Sequence, residues 1–114
     1  MSNVPISPFV SKNGLVFTSG QVYLTPEGKL LDGSIVDQTH QVMKNLEKVL
    51  TEAGSSFENV VKSTVYVTDM SIYKEFNEVY SSYFDAPYPA REVIGVLELP
   101  LGAKIEISMI AAKS

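Results

Sequence analysis

The spacing of apolar residues switches along this chain between every second position and every third or fourth, and the switches divide it into elements. In "FVSKNGLVFTSG" two short extended runs flank Asn13-Gly14, a pair suited to a two-residue hairpin turn. The pattern predicts strands on both sides, the longer over Leu15–Tyr23, and Pro26 and Gly28 then mark a turn. From Ser34 the period lengthens: Ile35, Thr39, Val42, Met43, Leu46, Val49, Leu50 and Ala53 share one face of a helix. Ser34 suits its N-cap, Asp37 the positive first turn, and Gly54 the left-handed position after its last residue.

Period two returns in "NVVKSTVYVT" (Asn59–Thr68), where Val61, Val65 and Val67 alternate with Lys62, Thr64 and Tyr66. A second helix is predicted from about Ser71, with Ile72, Phe76, Val79, Tyr80 and Tyr83 as its apolar stripe, before Pro87 and Pro89 impose extended chain. Strands over Arg91–Leu99 and Lys104–Ala112 complete a ββαβαββ order. No linker or repeat divides it, so residues 1–114 read as one α+β sandwich domain with both helices on one sheet face. Both terminal strands are apolar on each face: Val93, Gly95 and Leu97 against Ile94 and Val96, and Ile105, Ile107 and Met109 against Ile110. Two helices cover only one face of such a sheet, which predicts an obligate oligomer.

Composition narrows the function. Of 114 residues 45% are hydrophobic and 19% charged, which fits a globular chain rather than a disordered one. A formal charge of -4 lacks the positive excess that phosphate-backbone binding needs, so nucleic acid is disfavoured as a partner. The absence of cysteine removes disulfides, thiolate nucleophiles and zinc-ribbon sites. No charged start precedes an apolar run at the N-terminus, and no stretch of about 18 apolar residues occurs, so the chain reads as soluble and cytoplasmic. The single histidine, His40, lies on a helix without metal-ligand spacing, "TSGQ" is not a nucleophile elbow, and the glycines form no phosphate loop.

Two charged residues in apolar strands remain. Arg91 alternates onto the same face as Val93, Gly95 and Leu97. It is either an exposed strand-end cation or a guanidinium held in a cleft to take an anion bidentately. Glu106, between Ile105 and Ile107, is either on the wet face or an acid/base or polar anchor.

The stretches "SGQV" (Ser19–Val22), "QTHQVMKNLEKVLTEAGSSFENVVKSTVYVTDM" (Gln38–Met70), "FNEVYSSYF" (Phe76–Phe84), "PAR" (Pro89–Arg91) and "KIEISMIA" (Lys104–Ala111) closely resemble the reactive intermediate deaminase family, also called Rid, YjgF or L-PSP. The resemblance runs from about Phe9 to the C-terminus. It implies the fold of the trimeric chorismate mutases: a homotrimer with a mixed sheet, the final strand inserted next to the first, and a site in each cleft between subunits. It also implies hydrolysis of enamine and imine acids, such as 2-aminoacrylate and 2-iminobutyrate, to 2-keto acids and ammonia without a cofactor or metal. Pyridoxal-phosphate enzymes release such compounds.

By this resemblance Arg91 is the carboxylate-binding arginine and Glu106 the strand glutamate that orients or deprotonates water. Ser19 and Asn77 are supporting hydrogen-bonding residues. Three positions depart from the family pattern. Phe9, in "SPF", stands where many members have the tyrosine of a G-P-Y element, and Glu92 and Val93 replace a Ser or Thr and a Cys after the arginine. Phe9 and Val93 are then pocket residues that make the site more apolar. Other family members have been described as translation inhibitors with ribonuclease activity or as regulatory proteins, so a ligand-sensing module is the rival expectation.

Overall fold

In the computed structural model of the chain, residues 4–114 are described. Strands β1 (Phe9–Lys12) and β2 (Leu15–Thr18) form the expected hairpin. Its turn places Asn13 and Gly14 at φ 52° and 78°, where asparagine and glycine are the residues least strained. β2 is shorter than the alternation predicts. Beyond Thr18 only isolated bridges at Gln21 and Leu24 persist, and Val22 and Tyr23 turn into the core. The Asn45 side chain donates to the carbonyls of Val22 and Leu24, both at 2.9 Å, and so satisfies acceptors that a continuing strand would have given to a neighbour.

Helix α1 (Ile35–Glu52) starts and ends as expected. Ser34 Oγ accepts from Asp37 N at 3.1 Å, and Gly54 adopts φ 80°. Ser34→Ala should lower stability to denaturant by about 1 kcal/mol with the fold intact. The buried face of α1, with Val42, Met43, Leu46 and Leu50, packs on β2 and on β5 (Ile105–Ala112).

β3 (Val60–Val67) carries a bulge between Val60 and Lys62. The bulge shifts the alternation, so Val60 and Ser63 are buried and Val61, expected inside, is 50% exposed. The second helix begins as a 3₁₀ turn, Met70–Ile72, started by the Asp69 side chain accepting from Ser71 N, and continues as α2 (Tyr73–Ser81). β4 (Ala90–Gly95) ends earlier than the expected Leu99. After Val96 N donates to Val67 O the chain leaves the sheet, and Leu97 is 91% exposed.

The sheet order is β1-β2-β5-β3-β4. β4 runs parallel to β3, while β5 lies antiparallel between β2 and β3. The last two strands are therefore not neighbours, and β5 sits beside the second strand rather than the first. Burial explains the central place: Ile105, Ile107 and Met109 line its covered face with at most 2% exposure, whereas Val93, on the same face of edge strand β4, is only partly buried.

Both helices lie on that one face. On the other, Val10, Phe17 and Ile110 follow one another across the register, Tyr66 and Ile94 pair further along the sheet, and Val10, Phe17 and Ile94 are exposed. Among the described residues no helix is long and apolar enough to cross a membrane.

Candidate functional site

Arg91 is the second residue of β4, opposite Ser63 of β3, and it points to the helix-covered side together with Val93. Its guanidinium carbon lies 4.9 Å from the ring centre of Tyr80, 5.5 Å from that of Phe76 and 5.7 Å from that of Tyr73. Arg91 Nη2 donates to Tyr73 Oη at 3.1 Å. Aromatic faces attract a cation and replace part of its hydration, but they carry no neutralising charge. Among the described residues Arg91 has no carboxylate partner; the ion pair beside it joins Lys62 and Glu92 at 3.1 Å on the opposite face. A half-buried guanidinium without a counter-ion is a site for an anion, and its planar fork matches a carboxylate.

The space beside Arg91 is a cleft of about 480 Å³ lined by Asn77, Glu78, Tyr80, Ser81, Tyr88 and Pro89 as well as the arginine. Asn77 presents its amide there, with Oδ1 buried and without a hydrogen-bond partner. Beneath the guanidinium, Tyr80 Oη donates to Ser63 Oγ at 2.8 Å. Burial raises the Tyr80 pKa, opposed by the Ser63 hydrogen bond and the Arg91 charge, so the phenol stays protonated and the ring beside the guanidinium stays neutral.

Glu106 occupies different ground. On β5 it pairs with Tyr66, which pairs in turn with Ile94, and this parity places it on the sheet face without helices. Partial burial raises the carboxyl pKa above the usual glutamate value. Gly20 lies directly against it: a Cβ there would come 2.7 Å from Glu106 Cδ and overlap Oε2. Glycine is what lets the carboxylate approach the backbone this closely. Ser19, the preceding residue, donates its hydroxyl to Ser7 O and its N–H to Pro8 O, which holds the loop in place. Phe9 is opposite Thr18 and packs partly buried against the core, as does Val93.

Arg91, Asn77 and Val93 therefore form one group on the helix side, and Glu106, Gly20 and Ser19 a second at the other face of the sheet. Within one chain the two charged residues project to opposite faces. Sequence reasoning missed Gly20, Tyr73 and Tyr88. Tyr73 had a signal, because it precedes Phe76 by three positions and Tyr80 by seven and so shares their helix face. His40 is absorbed by structure, with Nδ1 2.7 Å from Tyr83 Oη. Among the described residues no group of three or more His, Asp or Glu side chains is placed to hold a metal ion.

Over residues 2–113 the chain matches the family described as endoribonuclease L-PSP. It is 41% identical over 110 residues to the mouse protein named 2-iminobutanoate/2-iminopropanoate deaminase, covering 96% of this chain and 82% of the mouse protein. The crystal structure of yeast Mmf1 superposes with a TM-score of 0.95 at 37% identity, covering 99% of this chain and 90% of the yeast one. That of Escherichia coli TdcF with bound serine superposes with a TM-score of 0.91 at 34% identity, covering 99% and 91%.

Proposed function

The chain belongs to the endoribonuclease L-PSP family, which is the Rid/YjgF family and includes the reactive intermediate deaminases, and on that premise we propose that it hydrolyses 2-imino acids to 2-keto acids and ammonia in clefts between the subunits of a cytoplasmic homotrimer. The observation that carries this reading is Arg91: a guanidinium held against three aromatic rings, without a carboxylate partner among the described residues, beside an open cleft. Serine bound to TdcF is a ligand with a carboxylate of the kind such a group recognises. A second copy seated on the uncovered apolar face would bury Val10, Phe17 and Ile94 and bring the Glu106 group of one subunit towards the Arg91 group of the next.

In that cleft Arg91 takes the substrate carboxylate and holds the C=N carbon at a fixed place. A protonated imine is electrophilic, so the step needs no cofactor. Glu106 accepts a proton from water as the water oxygen bonds to that carbon and the C=N π pair moves to nitrogen. The resulting carbinolamine collapses: Glu106 returns the proton to nitrogen, then takes the hydroxyl proton as the C–N bond breaks, so that the carbonyl forms, ammonia leaves, and Glu106 releases that proton to water. Ser19, through its remaining lone pairs, and Asn77, through its amide, hydrogen-bond the water and intermediates. Phe9 and Val93 keep the surroundings apolar.

The test couples an amino-acid oxidase, which supplies 2-iminobutanoate, to optical measurement of imine decay. Micromolar protein should accelerate the decay. Unchanged decay with retained 2-ketobutyrate binding would identify a ligand sensor instead. Glu106 sets the pH dependence. It must be ionised to act as base, so kcat/KM should fall on the acid side with an inflection above the ordinary glutamate pKa. Glu106→Gln should remove that inflection and lower kcat about a hundredfold.

The same burial has the opposite consequence for stability. The folded chain holds the Glu106 proton more tightly than the unfolded one, so this contribution is complete below the unfolded pKa and is lost as pH rises through the folded pKa.

A further inference from the structure

Arg91 is a long side chain which, among the described residues, has no ion pair to orient it. Two kinds of contact do so instead, aromatic rings and one hydrogen bond. The guanidinium carbon lies 4.9 Å from the Tyr80 ring centre and 5.5 Å from that of Phe76, and Tyr80 is itself tied to Ser63. These ring contacts fix where the guanidinium sits but leave it free to turn. The second contact, from Nη2 to Tyr73 Oη, stops the turning. Tyr73 can supply it because the 3₁₀ turn capped by Asp69 makes it the first residue of α2, near the β4 end of the sheet. Tyr73 is 41% exposed, so the residue adds little to the core.

We propose that Tyr73 is the positioning residue of the carboxylate site: its hydroxyl pins Nη2 and fixes which edge of the Arg91 fork faces the ligand. This rests on the reading of Arg91 as the carboxylate anchor. The pinned arginine loses little further freedom when a carboxylate arrives, which is the gain from preorganisation. The phenol accepts one N–H and leaves the rest of the fork for the ligand.

Tyr73→Phe keeps the ring and removes only the oxygen. It should weaken 2-ketobutyrate binding about tenfold, the scale of one hydrogen bond to a charged group, while the thermal midpoint stays unchanged. In an Arg91→Lys background the same substitution should cost less than about twofold, because an ammonium has no plane to fix. A ligand-free measurement runs in parallel. Nitrogen NMR of wild type should show separate Nη signals for Arg91, reflecting restricted rotation, and Tyr73→Phe should merge them.

Unchanged binding with separate signals in Tyr73→Phe would overturn the proposal, as would an equal loss in both backgrounds. A wild-type protein that binds no 2-keto acid would overturn the anchor reading of Arg91 and this proposal together. Normal wild-type binding with an indifferent Tyr73→Phe would overturn this one alone.

Discussion

Arg91→Ala is expected to lower kcat/KM for 2-iminobutanoate about a thousandfold, and Arg91→Lys about tenfold to a hundredfold, with the folded state preserved in both. Alanine removes the charge and the fork, leaving a substrate carboxylate to face an aromatic cleft without a counter-ion. Lysine restores the charge but not the paired, coplanar donors, and its ammonium holds its own water more strongly than a guanidinium does. The gap between the two variants separates charge from geometry. Neither should unfold the chain, because Arg91 is half-buried at the mouth of a cleft and its contacts are with exposed Tyr73 and with rings held by other packing. Steady-state kinetics with circular dichroism and light scattering on each variant decides the matter. Wild-type turnover by folded Arg91→Ala would return the residue to an ordinary strand-end cation.

Mixing two inactive variants should restore activity, and this is the second large effect. Arg91 and Glu106 point to opposite faces of one sheet, so the proposed site needs Arg91 from one subunit and Glu106 from another. Arg91→Ala and Glu106→Gln, each severely impaired alone, are unfolded together in equal amounts and refolded. Random assembly of a cyclic trimer then gives about a quarter of the interfaces an intact Arg91 facing an intact Glu106, and activity should recover to about that fraction of wild type. A site built within one subunit predicts no recovery, since every chain carries one lesion. Light scattering on the same samples should report a trimer. A monomer with full activity would remove both the shared site and the explanation for the apolar face formed by Val10, Phe17 and Ile94.

What the sequence by itself determined is what depends on near neighbours along the chain. Asn13-Gly14 encodes its own turn, Ser34 and Gly54 bound α1, and the alternation in β4 puts Val93 on the face of Arg91 and Glu92 on the other, because these are consequences of backbone geometry over a few residues. Family resemblance pointed to the residues of the two groups. Tertiary structure decided the rest. Alternation states which residues of one strand share a face and is silent on how two strands align, so only the insertion of β5 between β2 and β3 reveals that Arg91 and Glu106 face apart. The bulge that turns Val61 outward answers to its partner strand, and the chain beyond β2 stays out of a continuous strand where Asn45, in a helix further along the chain, takes the carbonyls of Val22 and Leu24. Tyr73 meets Arg91, and Gly20 meets Glu106, only across such long-range pairings. Contacts of that kind are chosen by the burial of a whole core, which no local stretch of sequence contains.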